Sequence, residues 1–236
     1  MTGVQTCALP IYTGAARASL QQSYNDGIRS IAIVFMHGYR YPEHELAVAD
    51  IAREIGFSQV STSYETNPLM KLVSRGDTTV VDAYLSPMLR NYVFQVASEL
   101  GDVRLMFMQS NGGLTDAGLS RGKDAILSGP AGGIVGAVKT AAAAGYDQII
   151  SFDMGGTSTD VAHYNGEYER TFETLVAGVR MRAPMMMIHT VAAGGGSICF
   201  FDGSRYRVGP ESAGANPGPV CYRRAGPLTE IGRAHV

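Results

Sequence analysis

"IISFDMGGTSTDVAHY", residues 149–164, runs an apolar strand into Asp153, turns through Gly155 and Gly156, and sets Thr157, Ser158, Thr159 and Asp160 in a row. Glycines lack Cβ, so the turn is expected to take left-handed or nest conformations and to present backbone N–H groups to an anion. Thr157 and Thr159 add hydroxyl donors for phosphate oxygens. Asp153, at the strand end, suits hydrated Mg²⁺, a hard cation that prefers carboxylate and water. A plain β-hairpin would need only the two glycines. Two flanking aspartates and two threonines exceed that need, so the pattern D-x-G-G-T-x-T-D is read as a nucleotide-phosphate grip.

Upstream of this stretch, strands and helices alternate. "IRSIAIVFMH" (28–37) reads as a buried strand, and "EHELAVADIAREIG" as a helix with Leu46, Ile51 and Ile55 on its apolar face and Gly56 as its stop. "QVSTSYE" is a second strand, and "TTVVDAYLSPMLRNYVFQVASELG" a helix interrupted at Pro87 and ended by Gly101. "VRLMFMQS" is a third strand, and "SGPAGGIVGAVKTAAAAG" (128–145) a helix with a glycine-rich opening. Beyond the motif come shorter β-like pieces, "EYERTFET", "SICFFDG" and "RYRVGP". The alternation followed by hairpins predicts an α/β fold with mixed sheets and flanking helices.

Gly129, Gly132, Gly133 and Gly136 invite comparison with a dinucleotide site, since they open a helix about 20 residues before an acid. Their order, G-x-x-G-G-x-x-G, lacks the G-x-G start, and nothing matches a Walker A loop. Helix packing against a sheet accounts for Gly133 and Gly136 at least as well as a ligand role does, whereas Gly129 and Gly132 are candidates to bring a helix N-terminus to a nucleotide.

The 236 residues include 45% apolar ones, enough for a core, with 19 basic and 21 acidic side chains and a net charge of −2. No basic stripe serves nucleic acid. Apolar runs such as "IAIVFM" fall short of the roughly 20 residues a membrane span requires. Cys7, Cys199 and Cys221 show no paired spacing, which points to packing roles and a cytoplasmic setting. The two ends read differently. "TCALPI" (6–11) and "IGRAHV" (231–236) can be encoded by reverse-complementary DNA, so residues 1–11 and 231–236 are expected to be adapter-derived and the natural protein longer on both sides.

"LSGPAGGIVG", "SFDMGGTSTDV", "IHTVAAGGGS" and "VGPESAGANPGPVCY", with "FMHGYRYPEHE", "LMKLVSRGDTTVVDAYLSP" and "FMQSNGGL", resemble the hydantoinase A and 5-oxoprolinase family of ATP-dependent amide-ring hydrolases over residues 14–229. "HYNGEYERTFET" and "VAGVRMRAPMM" are most similar to its 5-oxoprolinase branch. The resemblance implies an actin-like (ribonuclease H-like) ATPase fold, incomplete here, with 12–78 closing the family's N-terminal domain and 79–230 opening its hydantoinase A domain. Family members carry a second D-x-G-G-T-x-T-D, which does not recur in this sequence, and a nucleotide-base region expected beyond Thr229. The chain would thus hold half of an ATP clamp. The resemblance also implies cleavage of 5-oxo-L-proline with ATP and water to L-glutamate, ADP and phosphate through a phosphorylated lactam. The family alternatives are an N-methylhydantoinase and an acetone- or acetophenone-type carboxylase subunit. The alternative of another class is an actin-like ATP-binding assembly protein.

The cofactors expected are ATP and Mg²⁺. The partners expected are a lactam or hydantoin substrate, a hydantoinase B-type subunit or domain, and further copies in an oligomer at full length. Asp153 is expected to hold the metal and Asp160 to orient the turn or the metal's water, with Gly155, Gly156, Thr157 and Thr159 around phosphate. His189 in "MMMIHTVAAGGGS" is a third catalytic candidate, against the plain reading of a hydrogen-bonded core histidine. Arg75 and Asp77 read as a helix-capping and ion-pair cluster, the methionines at 185–187 as core, and Glu211, Ser212 and Asn216 as a loop that gates a site or merely stiffens the surface. Where family members commonly read "SHEVSPLMK" this chain has "TSYETNPLMK", so Tyr64 stands in place of a histidine whose role does not carry over.

Overall fold

The computed structural model describes residues 11–176 and 178–231, so residues 1–10 and 232–236 of the expected end segments lie outside the described residues. In chain order the first elements are α1 (Thr13–Asn25), β1 (Ser30–Ile33), α2 (Glu43–Ile55), β2 (Gln59–Thr62), α3 (Ser63–Thr66) and α4 (Leu72–Leu100). Then follow β3 (Met106–Met108), β4 (Leu114–Asp116), α5 (Ser128–Ala143), β5 (Gln148–Met154), β6 (Thr159–Asn165) and β7 (Arg170–Thr171). The last are β8 (Thr174–Val176), β9 (Val179–Met181), β10 (Met185–Met186), β11 (His189–Val191), β12 (Ser197–Phe201) and β13 (Tyr206–Ser212). Two compact units result: residues up to Ile126 with Thr171–Met185, and Leu127–Arg170 with the residues from Met186 on.

The first unit is built on a β-α-β step. β1 and β2 pair in parallel with Ile31 opposite Val60 and Ile33 opposite Thr62, a pairing that requires a crossover, and α2 supplies it. Acidic Glu43 and Glu45 favour the helix's positive end, and Gly56, at φ +110°, stops it in a left-handed turn closed to side chains. Val48, Ala49, Ile51 and Ala52 of α2 pack with Leu20, Ile33 and Phe57. Each large side chain so buried contributes about 1.5–3 kcal/mol. Leu46, expected on this face, is exposed, while Glu45 is fully buried. The helix is rotated by about one position because Glu45 is drawn into a polar network. Its Oε1 accepts from Phe35 N at 2.9 Å and Ser63 Oγ at 2.5 Å, and its Oε2 from Tyr64 N at 3.0 Å. α1 has no strong apolar periodicity and was not anticipated; Leu20 and Tyr24 fasten it, with the Tyr24 ring edge-on to Phe57 at 5.4 Å.

α4 is continuous through Pro87, contrary to the expected interruption. Proline removes one helical bond, but packing holds the helix on both sides of it: Asp82, Ala83 and Ser86 are buried before Pro87 and Val93 after it. The 78/79 segment boundary drawn from sequence falls inside this helix. Arg75, read as a capping residue, lies fully buried within α4 and serves backbone carbonyls instead.

In the second unit, Ala131, Ile134 and Val138 of α5 pack with Ala162, Met186, Ile149 and Tyr164, covering one face of an antiparallel sheet of order β11-β6-β5. The glycine-rich opening is helical from Ser128. β12 and β13 form a hairpin, and Ile198 bridges Thr229. Met185 and Met186 are core as expected, whereas Met187 and Cys221 are exposed. Among the described residues no helix is long and apolar enough to cross a membrane.

Candidate functional site

β5 and β6 form the hairpin predicted from the opening motif, closed by the pair Met154 and Thr159 around Gly155, Gly156, Thr157 and Ser158. The turn is tied by Gly155 N–H to Ser158 O at 2.9 Å. One register step back, Asp153 stands directly opposite Asp160, and on the far side of β6 Asp160 is opposite Thr190. Like charges placed directly across an antiparallel pair destabilise it. Here Thr190 Oγ1 donates to Asp160 Oδ1 at 2.6 Å, and among the described residues no cationic side chain pairs with either carboxylate. Two carboxylates facing each other at the mouth of a turn are therefore a feature that a bound cation would relieve. Both line a cavity of about 280 Å³ with Pro130, Gly133 and Ser151, which puts the start of α5 beside them.

The steric demand at this turn falls on other glycines than the two expected. Neither Gly155 nor Gly156 has a positive φ. A Cβ would meet nothing within 4 Å on Gly156 and only Ser158 O at 3.6 Å on Gly155. The tight approach is that of Gly194–Gly196, laid against the turn as a backing strand: Gly195 N donates to Gly155 O at 2.9 Å and Gly196 N to Gly156 O at 2.7 Å. A Cβ on Gly194 would meet Gly156 C and Thr157 N, both at 2.7 Å, and a Cβ on Gly196 would meet Gly156 O at 2.7 Å. The turn's carbonyls are thus turned to the backing strand. Among the described residues the amides of Gly156 and Thr157 have no protein acceptor, which leaves two donors for an anion. Gly194→Ala is expected to destabilise the second unit by about 1–3 kcal/mol, because the obstruction is backbone and cannot swing aside. Gly129→Ala, with nothing within 4 Å of the added methyl, should be neutral or stabilising by up to about 1 kcal/mol. Thermal melts of the two variants check the contrast, and equal melting points would remove the backing-strand account.

The other sequence candidates separate. Thr157 stays exposed in the turn, but Thr159 is 6% exposed and its hydroxyl donates to Ala193 O at 2.6 Å, so it ties β6 to the backing strand. On α5, Gly133 approaches Asp153, a Cβ there lying 3.6 Å from Asp153 Oδ2, whereas Gly129 and Gly132 do not line the cavity. From the sequence Gly133 reads equally as a packing or a ligand-side residue; with α5 starting at Ser128, it is Gly133 rather than Gly132 that comes to Asp153. His189 pairs with Val161, one position from Thr190, and strand alternation puts it on the opposite sheet face from Asp160. Thr190, missed by sequence reading, takes the place beside the carboxylates. Glu211 and Ser212 belong to β13 rather than to a loop.

Residues 75–231 match the family model described as hydantoinase/oxoprolinase, and residues 5–56 match that of the hydantoinase/oxoprolinase N-terminal region. The chain belongs to the hydantoinase/oxoprolinase family. A family member from Saccharomyces cerevisiae, 5-oxoprolinase, is 48% identical over 224 residues, covering 91% of this chain and 17% of that protein. Among solved structures, the ATP-dependent caprolactamase from Pseudomonas jessenii superimposes with a TM-score of 0.79 at 33% identity, over 99% of this chain and 35% of that one. The nucleotide-free acetone carboxylase gives 0.73 at 28% identity, over 88% of this chain and 31% of that one. The chain therefore spans a minor part of the length of its relatives. Its α/β architecture with mixed sheets is the one these ATP-dependent family members share, consistent with the actin-like ATPase fold read from the motifs.

Proposed function

We propose that the chain is part of an ATP-dependent 5-oxoprolinase, converting 5-oxo-L-proline, ATP and water to L-glutamate, ADP and phosphate. The observation that carries the ATP part is the hairpin turn: two unengaged amides at Gly156 and Thr157 beside the facing carboxylates of Asp153 and Asp160. Nest amides suit phosphate oxygens, and Mg²⁺ is commonly held by one or two carboxylates together with substrate phosphates. The donor set fits that ion, which when bound neutralises charge on the phosphates. The choice of 5-oxoproline rests on the 48% identity to a 5-oxoprolinase.

An unstrained lactam resists hydrolysis because attack sacrifices amide resonance. Transfer of the γ-phosphoryl group to the lactam oxygen makes the ring carbon electrophilic; water then adds, the C–N bond breaks, and phosphate leaves. In such a transfer the protein chiefly positions groups and stabilises charge. Gly156 and Thr157 N–H groups would hold phosphate oxygens, the Thr157 hydroxyl would add a donor, and Asp153 and Asp160 would hold the cation. Thr159, Thr190 and the Gly194–Gly196 strand would fix the turn so that it does not reorganise during transfer.

A hydantoinase B-type partner is the natural complement, since a relative is named caprolactamase subunit alpha. The family alternatives, hydantoin cleavage and ketone carboxylation, keep the same hairpin and differ only in the acceptor. Assay of the full-length protein with 5-oxoproline, hydantoin, and acetone plus bicarbonate, following ADP release, decides among them. Stimulation by 5-oxoproline alone is expected. ADP release that responds only to hydantoin or to acetone would reassign the substrate, and ATP-driven polymerisation without any acceptor would replace the hydrolase reading altogether.

A further inference from the structure

The first unit contains a second, polar cavity of about 380 Å³, within the size range of small-molecule sites. Its floor is the buried Asp82, at 4% exposure, with the buried hydroxyls of Ser61, Ser86 and Thr66. Its rim carries the guanidinium groups of Arg90 and Arg121. Asp82 accepts from Ser61 Oγ at 2.7 Å, Ser86 Oγ at 3.2 Å and Lys123 N at 3.4 Å. Among the described residues no cationic side chain pairs with it: the neighbouring Lys123 ammonium goes to Asp124 at 2.7 Å instead. A carboxylate taken out of water without an opposite charge is costly unless something supplies one.

The lining narrows what that something is. Among the described residues no group of three or more His, Cys, Asp or Glu side chains assembles around a metal, so a lone carboxylate with hydroxyl neighbours suits an organic ammonium. At the rim, Arg121 Nη1 donates to Glu65 O at 3.0 Å, and Arg90 donates through Nη1 to Ser58 O at 3.4 Å and through Nη2 to Gln59 Oε1. Each guanidinium carries five donors, so these bonds leave others for a carboxylate. The site is balanced in charge: Asp82 lies at the floor, and at the exposed mouth Arg90 and Arg121 stand with the single carboxylate of Glu65, which leaves the mouth net positive. We propose that this cavity binds a free α-amino acid with a polar side chain as its zwitterion, the ammonium on Asp82 and the hydroxyls, and the carboxylate on Arg90 and Arg121. This holds whatever ring the phosphate hairpin serves, since every lining residue belongs to the first unit.

The test is calorimetric titration of the full-length protein with L-glutamine. N-acetyl-L-glutamine, which lacks the ammonium, and L-glutamine amide, which lacks the carboxylate, serve as controls. Saturable binding of L-glutamine is expected, with each control weakened at least about tenfold, as is typical of losing one partner of a buried charge pair. Asp82→Asn and Arg121→Gln should each weaken L-glutamine binding by a similar factor while circular dichroism remains that of the unaltered chain. Arg121 is exposed, so its variant decides the matter if Asp82→Asn fails to fold. No saturable binding at about 10 mM, a range that would already detect very weak complexes, overturns the proposal. So does equal binding of either control, or an Arg121→Gln variant that binds as the unaltered chain does.

Discussion

Asp153→Asn is expected to lower ATP turnover of the full-length protein by about 10²–10³-fold, roughly 3–4 kcal/mol in the barrier, while leaving its melting temperature unchanged or slightly raised. The two parts of this result have one cause. Asp153 faces Asp160 across β5 and β6, and like charges directly opposite each other destabilise the pair. An amide of the same shape removes that repulsion, so the hairpin loses nothing structural. What it loses is one of two negative ligands for a cation that must sit beside the phosphate. Asp160→Asn should share the kinetic defect but not the silence in stability, because Asp160 Oδ1 also accepts the Thr190 hydroxyl at 2.6 Å. Coupled ADP-release assays and thermal melts of both variants measure this. Turnover of Asp153→Asn at the unaltered level, or a melting temperature several degrees lower, would make Asp153 a structural residue and remove it from the site.

The hairpin was legible because its chemistry is contiguous: strand, glycine turn and flanking acids all lie within residues 149–164, and the β-strand period places Asp153 and Asp160 without further information. The role of Thr159 was not legible, since its hydroxyl is claimed by Ala193, which lies 34 residues on. Nor was the steric demand on Gly194 and Gly196. A glycine pair in a turn reads as a demand for positive φ, which neither Gly155 nor Gly156 shows; the side chains that have no room are those at Gly194 and Gly196, which pass against the turn backbone. Both misreadings have the same origin, a long-range contact that no local pattern encodes. α2 shows the converse. Its helical period and Gly56 stop were plain, yet the face it buries was displaced because a charged residue, Glu45, is held inside by Phe35, Ser63 and Tyr64. Local rules place charged residues outside, so only the partners reveal the exception.

Arg75→Met is expected to destabilise the first unit by about 3–5 kcal/mol, the cost typical of breaking a buried charge network by removing one member. Arg75 and Glu45 are both at 0% exposure and are joined through one hydroxyl: Arg75 Nε donates to Ser63 Oγ at 2.9 Å, and Ser63 Oγ donates to Glu45 Oε1 at 2.5 Å. The guanidinium also holds the chain after β1, with Nη2 on Phe35 O at 2.5 Å and Met36 O at 3.0 Å, and Nη1 on Leu69 O at 2.9 Å. Methionine fills the volume but leaves three carbonyls without this donor and Glu45 without a nearby positive charge. Arg75→Lys should fail nearly as badly, because one ammonium cannot span donor positions set by a planar fork. For a chain of this size the loss corresponds to a fall of roughly 6–20 °C in the melting midpoint. The double variant Glu45→Gln with Arg75→Met should lose less than the sum of the two single variants, since the first removes the charge that the second leaves stranded. Additive losses would mean that Arg75 acts only through the backbone carbonyls. A midpoint for Arg75→Met within about 2 °C of the unaltered chain would mean that water or a rearranged loop satisfies them, and the network would no longer explain why α2 buries Glu45.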